Sequence, residues 1–259
     1  MTPRTLLLVA LLAGGAAVSS AQSDSAPAER YTLRLEYLFW SPAPAGQLQK
    51  GVSGFEGTLL DAQEDLGLAE HAANPLRGAL RFGESVKLRA SWSPIDFRGD
   101  TIADRGFVYG TTVVLPGQQV TSSLKGNYVT VELAWDFLRR PQGFLGLLAG
   151  VKFFDIDALV LNVDTSDRVV ETERLPVPVI GLAGRAYLTR HLSVEGELSG
   201  LTLGDRGYVY EIFAAARLHL TDHIAATGGY RKLVLEGRTD RDYLKMDLGT
   251  WTFGAEISL

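Results

Sequence analysis

The sequence has no cysteine, so neither a disulfide staple nor a thiolate metal site enters its build, and the chain suits passage through an oxidising compartment. It also lacks an apolar run long enough for a membrane helix. The longest, Leu6 to Val18, is 13 residues against the roughly 20 a bilayer requires, which excludes helical anchoring. Positive charge is not in excess: 25 Lys and Arg stand against 30 Asp and Glu, for a net −5, and no nucleic-acid partner is expected. Metal-ligand spacing is missing too. His219 and His223 are four apart, which in extended chain separates them by roughly 13 Å. The acidic stretch Asp61, Glu64, Asp65 and Glu70 lacks the fixed ligand spacing of a calcium loop and reads as a solvated loop. No cofactor is expected, and no catalytic residue is assigned.

What is present begins with Arg4, the apolar run and Ser19-Ser20-Ala21, the three regions of a secretory signal. The expected organisation is a signal peptide over 1–21, a flexible leader over 22–28 and one domain over 29–259. From there apolar and other residues alternate, the period of a strand, whose successive side chains point to opposite faces. The closing stretch is the clearest case: Trp251, Phe253, Ala255, Ile257 and Leu259 share one face, and Thr252, Gly254, Glu256 and Ser258 the other. Ten such segments are expected, over 30–40, 76–82, 86–92, 129–137, 145–153, 180–188, 192–200, 208–220, 224–230 and 243–259. The turns Leu188 to Leu192 and Leu220 to Ile224 nearly repeat one another, as hairpin units do.

No position on the apolar faces is charged. The interleaved faces carry fifteen charges: Arg34, Arg77, Arg81, Lys87, Arg89, Lys152, Arg185 and Arg217 against Glu36, Glu132, Asp136, Glu195, Glu197, Glu211 and Glu256. A charge facing lipid at the midplane costs roughly 2 to 4 kcal/mol, whereas one inside a barrel can pair or meet water. A soluble, lipocalin-like barrel would instead turn the clean apolar face inward around a cavity. The reading is therefore all-β: an antiparallel up-and-down transmembrane barrel of about ten strands, or eight if two weaker hairpins extend their neighbours. Connections over 41–73, 99–123 and 162–173 are long, those over 83–85, 138–143, 189–191 and 221–223 short, the asymmetry of outer-membrane barrels. The second long connection contains the apolar TTVVLPGQQV and is expected to form a hairpin past the barrel rim. Aromatics such as Tyr31, Tyr37, Phe39, Trp92, Trp135, Tyr208 and Trp251 read as girdles on the lipid face.

With its signal-like start, alternating strands and closing aromatic strand, residues 29–259 resemble the small OmpA-like and OmpW-like outer-membrane barrels of Gram-negative bacteria; where that family usually ends in Phe or Trp, this sequence has Leu259. The resemblance implies residence in the bacterial outer membrane, contact with its lipid and lipopolysaccharide, handling by periplasmic chaperones and the barrel-assembly machinery, and a monomeric state. Two functions follow. One is a structural protein or narrow passive pore, in which a barrel near the eight-strand size is expected to be filled by paired side chains. The other is an enzyme on lipid A or peptides. His191-x-Ser193 is similar to the His and Ser of lipid A deacylase barrels, though it sits at a short turn. Omptin-like proteolysis would bring His71 to rim acids such as Asp155, Asp157, Asp164, Asp205, Asp240 and Asp242.

Overall fold

A computed structural model describes residues 31–52 and 54–259; the expected signal peptide and leader lie outside the described residues. Fourteen strands are formed among them: β1 (Leu33–Trp40), β2 (Ala45–Gln49), β3 (Leu60–Asp61), β4 (Leu76–Phe82), β5 (Val86–Ile102), β6 (Phe107–Tyr109), β7 (Thr112–Val114), β8 (Gln119–Arg140), β9 (Gly143–Asn162), β10 (Arg168–Tyr187), β11 (Leu192–Thr202), β12 (Gly207–His219), β13 (Ile224–Arg238) and β14 (Tyr243–Ser258). Ten of these close an antiparallel barrel, with β1 paired to β14. Closure leaves no free edge along the apolar belt, which a bilayer demands because it offers no water to an unpaired backbone group.

The seam explains why the first strand is short. β1 occupies the lower part of the β14 edge, from Arg34 opposite Ser258 to Trp40 opposite Thr252, and β2 occupies the upper part, from Ala45 opposite Asp247 to Gln49 opposite Tyr243. Between them lies Ser41-Pro42-Ala43-Pro44, whose two prolines cannot donate to a ladder. One strand position is thus filled by two pieces.

In the lower half the alternation has the sense read from the sequence. Leu133, Leu147, Ile212, Trp251 and Phe253 are exposed on the outer wall, while Arg89, Glu132, Lys152, Arg217 and Glu256 are buried inside. Above Trp92 on β5, Val129 on β8 and Phe153 on β9 the sense inverts. Arg98, Lys125, Asp155, Asp157 and Arg174 now face out, and Phe97, Leu124, Phe154, Val160 and Val177 face in. Outward charges pair across and along the wall, Asp155 with Arg174 at 3.3 Å, Asp96 with Arg98 at 2.7 Å and Lys232 with Asp247 at 2.7 Å. The wall has left hydrocarbon and stands in water, so from there upward it obeys the rule of a soluble barrel, polar outside and apolar within.

That inversion corrects several expected boundaries. β5 runs on to Ile102, β8 begins at Gln119, β13 reaches Arg238, and the expected connection over 162–173 shrinks to the turn over 163–167 between β9 and β10. In each, a polar or charged residue on the outward face, such as Asp96, Lys125, Asp155 or Lys232, has the sequence signature of the end of an apolar-out strand. The expected hairpin exists as β6 and β7, shifted toward the N-terminus and folded inward, so that Phe107, Tyr109 and Val114 are buried. Tyr31, read as a lipid-face aromatic, is buried instead. It precedes β1, and its ring lies against the Arg34 and Arg81 guanidiniums, at 5.1 and 5.8 Å.

The apolar upper interior is filled by the chain itself. Leu48, Leu60, Ala62, Leu66 and Leu68 from the segment after β1, with Phe107, Tyr109 and Val114, pack in one cluster with Phe97, Leu124, Phe154, Leu233 and Leu248 of the wall. A depth test follows for the wall. Leu147→Arg should lower the unfolding free energy in bilayers by about 2 to 4 kcal/mol, and Val170→Arg, on the wall above the inversion, by less than about 0.5 kcal/mol, both read from denaturant titrations.

Candidate functional site

The site is the barrel interior, built in two storeys. Inward positions of seven strands deliver the lower one: Arg34 and Glu36 from β1, Arg77 from β4, Arg89 from β5, Arg185 from β10, Glu195 and Glu197 from β11, Arg217 from β12 and Glu256 from β14, with Lys152 of β9 and Glu211 of β12 just above. Arg217, wholly buried, is the hub. Its guanidinium meets Glu36 at 2.7 Å, Glu256 at 2.8 Å and Glu195. Arg185 reaches Glu195 at 2.6 Å and Glu256 at 3.1 Å. Arg77 bridges Glu36 at 2.9 Å and Glu197 at 2.6 Å, and Arg89 adds 2.5 Å to Glu197. Arg34 stands 4.0 Å from Glu195 and 3.9 Å from Glu256. Almost every carboxylate here is shared between cations, so no single bond can be lost alone.

A second group joins this layer to the apolar storey. Glu211 takes Lys152 at 2.5 Å, Arg231 at 2.7 Å and the hydroxyl of Tyr128. The Arg231 guanidinium lies 4.7 Å over the Trp40 ring. Nearer the short turns, Lys87 meets Asp136 at 2.8 Å and sits 3.5 Å over the Phe144 ring. Arg81 is at the lower rim, donating to the Glu84 carbonyl at 2.8 Å.

Arg231 is the charge that sequence reading missed. The expected ninth strand ends at Tyr230 and omits it, yet the inward series Thr227, Gly229, Arg231, Leu233 continues unbroken through it. Between Arg77, Arg89, Glu132, Lys152, Glu211 and Arg231 there remains a cavity of about 40 Å³, room for a few waters and no more.

The upper storey is latched to the wall. Lys50 donates to Asp242 at 3.1 Å and pairs with Glu171 at 2.8 Å, while the Lys50 carbonyl accepts from Gly110 in the β6–β7 turn at 3.1 Å. The Glu171 hydrogen bond, with that of Asp242, holds the Lys50 ammonium above its ordinary pKa. Arg105 grips Asp65 at 2.6 Å and the Leu59 carbonyl at 3.0 Å, and its hydrogen bond depresses the Asp65 carboxyl. The Asp61 carboxylate accepts the amides of Gln63 and Glu64 at 2.8 and 3.0 Å, closing a turn. The acidic stretch is thus a folded part of the plug. Burial pushes the Tyr109 phenol up.

The histidines are turn residues. In the repeated turns, Thr189 and Thr221 hydroxyls accept the amides of Leu192 and Ile224, each at 3.0 Å, the ST-turn pattern that the sequence repeat encodes. Ser193 lies 2.9 Å from His219, not beside His191, and is wholly buried, so no substrate carbonyl can approach its hydroxyl. At the rim, His71 is exposed with Asp96 in its field. Asp155 is held by Arg174, Asp157 by Thr172 at 2.5 Å, and Asp164 by the Gln119 amide at 2.7 Å. Among the described residues, no group of three or more His, Asp or Glu could hold a metal ion.

No protein-family model and no curated protein matches the sequence. Among solved structures, the outer membrane protease OmpT from Escherichia coli aligns with a TM-score of 0.57 at 11% identity over 93% of this chain and 99% of that one. The translocator domain of autotransporter NalP from Neisseria meningitidis aligns at 0.44 and 11% identity over 88% of each chain. Ail, the attachment invasion locus protein of Yersinia pestis, aligns at 0.36 and 11% identity over 88% of this chain and 99% of that one. Likeness at this identity is likeness of fold. The OmpT alignment, with the closed barrel and its apolar outer belt, makes the chain a membrane-spanning β-barrel of the outer-membrane type.

Replacing the hub should be costly, because it strands three buried carboxylates. Arg217→Met is expected to destabilise the barrel by about 3 to 5 kcal/mol in urea unfolding, and adding Glu195→Gln to recover part of the loss. A pH test addresses the plug. Asp65 has a folded pKa below its unfolded value near ~4, so its contribution is present above that value and fades as the pH falls through the lower one. Hydrogen exchange at 59–66 should therefore rise selectively below about pH 4, and Asp65→Asn should show the faster exchange already at neutral pH.

Proposed function

We propose that this barrel is closed along its axis and acts as a structural protein of the outer membrane, presenting the latched cap as its outward surface. The observation that carries the reading is the burial of the residues that would line a pore. Arg217 and Tyr128 are 0% exposed, Lys152 1% and Trp40 2%, whereas the walls of an aqueous channel are wetted. Ionic groups fill the lower interior and apolar side chains the upper, and the cavity between them does not extend through the protein.

In this reading the short turns and both strand ends of the seam face the periplasm, and the cap faces outward. The chain passes to the membrane with periplasmic chaperones and the barrel-assembly machinery, sits in it as a monomer, and meets lipopolysaccharide on its outer half. The fold likeness to OmpT raises proteolysis as the alternative. That chemistry needs an imidazole facing carboxylates across the mouth, and Asp155, Asp157, Asp164 and Asp242 are already paired within the wall and the plug.

Planar-bilayer recording tests the closed state. With the purified chain inserted, the current should stay at baseline, and deletion of the plug segment over 45–72 should leave the ionic storey in place and the conductance still below that of an open porin. Discrete steps from the intact chain would overturn the reading. Cleavage of model peptides that disappears in His71→Ala would favour the alternative.

A further inference from the structure

The lower mouth holds a pocket that neither the ionic storey nor the plug uses, and it begins with a bulge in β8. Asp136 stands opposite Gly146 and Leu138 opposite Leu145, so Phe137 is an extra residue without a partner in the ladder. Up to that point even positions face in and odd positions out: Ala134 and Asp136 are buried, Trp135 and Phe137 exposed. Beyond it the parity is exchanged. Leu138 joins the outer wall beside Leu145, and Arg139, which unbroken alternation would send to the lipid side, stands opposite Phe144, whose ring packs inward against the cluster of Ala134, Leu148 and Ala183. A bulge re-aims a side chain, and the one re-aimed here carries a guanidinium.

Arg139 turns toward a cavity of about 330 Å³ that Arg81, Arg140, Phe144 and Tyr187 also line, within the range of roughly 300 to 1,000 Å³ typical of small-ligand sites. Three guanidiniums face it, and its carboxylates do not match them. Glu84 meets Arg139 at 3.0 Å, but its side chain is 87% exposed, and an ion pair so open to water is worth little. Asp136 is committed through Oδ2 to Lys87 at 2.8 Å. Arg140 is exposed, with no ion pair among the described residues. Asp136 also brings an unmet acceptor, because its Oδ1 is buried and takes no hydrogen bond.

We infer that this pocket binds an acidic peptide segment, its carboxylates taken by Arg139 and Arg140 and one of its N–H groups by Asp136. A guanidinium fork fits a carboxylate with two parallel hydrogen bonds. A simple anion would answer the excess positive charge but leave Asp136 Oδ1 without a donor, whereas a glutamate or aspartate residue carries both an N–H and a carboxylate. The rings of Phe144 and Tyr187 flank the cavity and offer apolar contact to the side-chain methylenes. The compartment follows from the orientation proposed above, which sets the pocket in the periplasm; its chemistry depends neither on that orientation nor on whether the interior conducts.

Isothermal titration of the full chain in detergent tests the assignment. The probes are an end-capped tetrapeptide with glutamate at both central positions, its glutamine counterpart, and inorganic phosphate. The wild-type chain should take up one acidic peptide per barrel and bind the glutamine peptide and phosphate at least about ten-fold more weakly. Arg139→Gln combined with Arg140→Gln should weaken the acidic peptide by about ten-fold or more. Arg206→Gln removes an exposed guanidinium at the opposite end of the barrel and should leave the affinity within about two-fold, since a charge so far away is screened. Circular dichroism checks that each variant is folded. Equal binding of the two peptides, phosphate as tight as the acidic peptide, or an unchanged affinity in the double variant would overturn the assignment, and none of these would alter the expected bilayer current.

Discussion

The constraint on which this structure depends is the cost of a charge in hydrocarbon. A carboxylate or guanidinium on the outer wall at mid-depth is opposed by several kcal/mol, so in the lower half every ionic side chain turns inward. Once inside a barrel of this size, the charges cannot be hydrated by a wide channel. They must solvate one another, and the shared carboxylates around Arg217 are how they do it. Buried ion pairs of this kind add little net stability against an apolar alternative; their effect is to make the loss of any one partner expensive.

The same constraint, released, shapes the upper half. Above the belt the outer wall meets water, the cost of outward charge vanishes, and the apolar residues move inside. An apolar interior open to water would be as unfavourable as a charge in lipid. The chain resolves this by folding its own long connections into the mouth, where Leu60, Leu66 and Val114 are buried and Lys50 and Arg105 tie the inserted segments to the rim and to each other. A membrane barrel below and a soluble-type barrel above thus share one continuous set of strands, with Trp40, Tyr128 and Arg231 at the junction.

The lower storey was legible in the sequence because a single rule, apolar out and ionic in, holds for every strand there; all fifteen charges read as inward lie inside or at the lower rim. The upper storey was not. Periodicity reports that two faces differ but not which one faces the core, so Asp155 and Asp157 on β9 looked like loop acids when they are the outward face of a strand whose inward face is Phe154, Ile156 and Ala158. Arg231 was lost to the same inversion. The Lys50 and Arg105 latches join residues 192 and 40 positions from their partners, and no local pattern encodes such pairs. The two prolines after Trp40 did mark a break, but only the closed barrel shows that β2 resumes the same edge.

Labelling along β9 tests the two-storey account most directly, because a chain without cysteine accepts single cysteines cleanly. With spin labels at each position from 145 to 161 in bilayers, Leu145, Leu147 and Phe153 should respond to lipid-dissolved oxygen, and Asp155, Asp157 and Leu159 to a water-soluble relaxant. The inward positions Leu148, Lys152, Phe154 and Val160 should respond to neither. Strong response of those four to the water-soluble relaxant would mean an open aqueous passage and contradict the account.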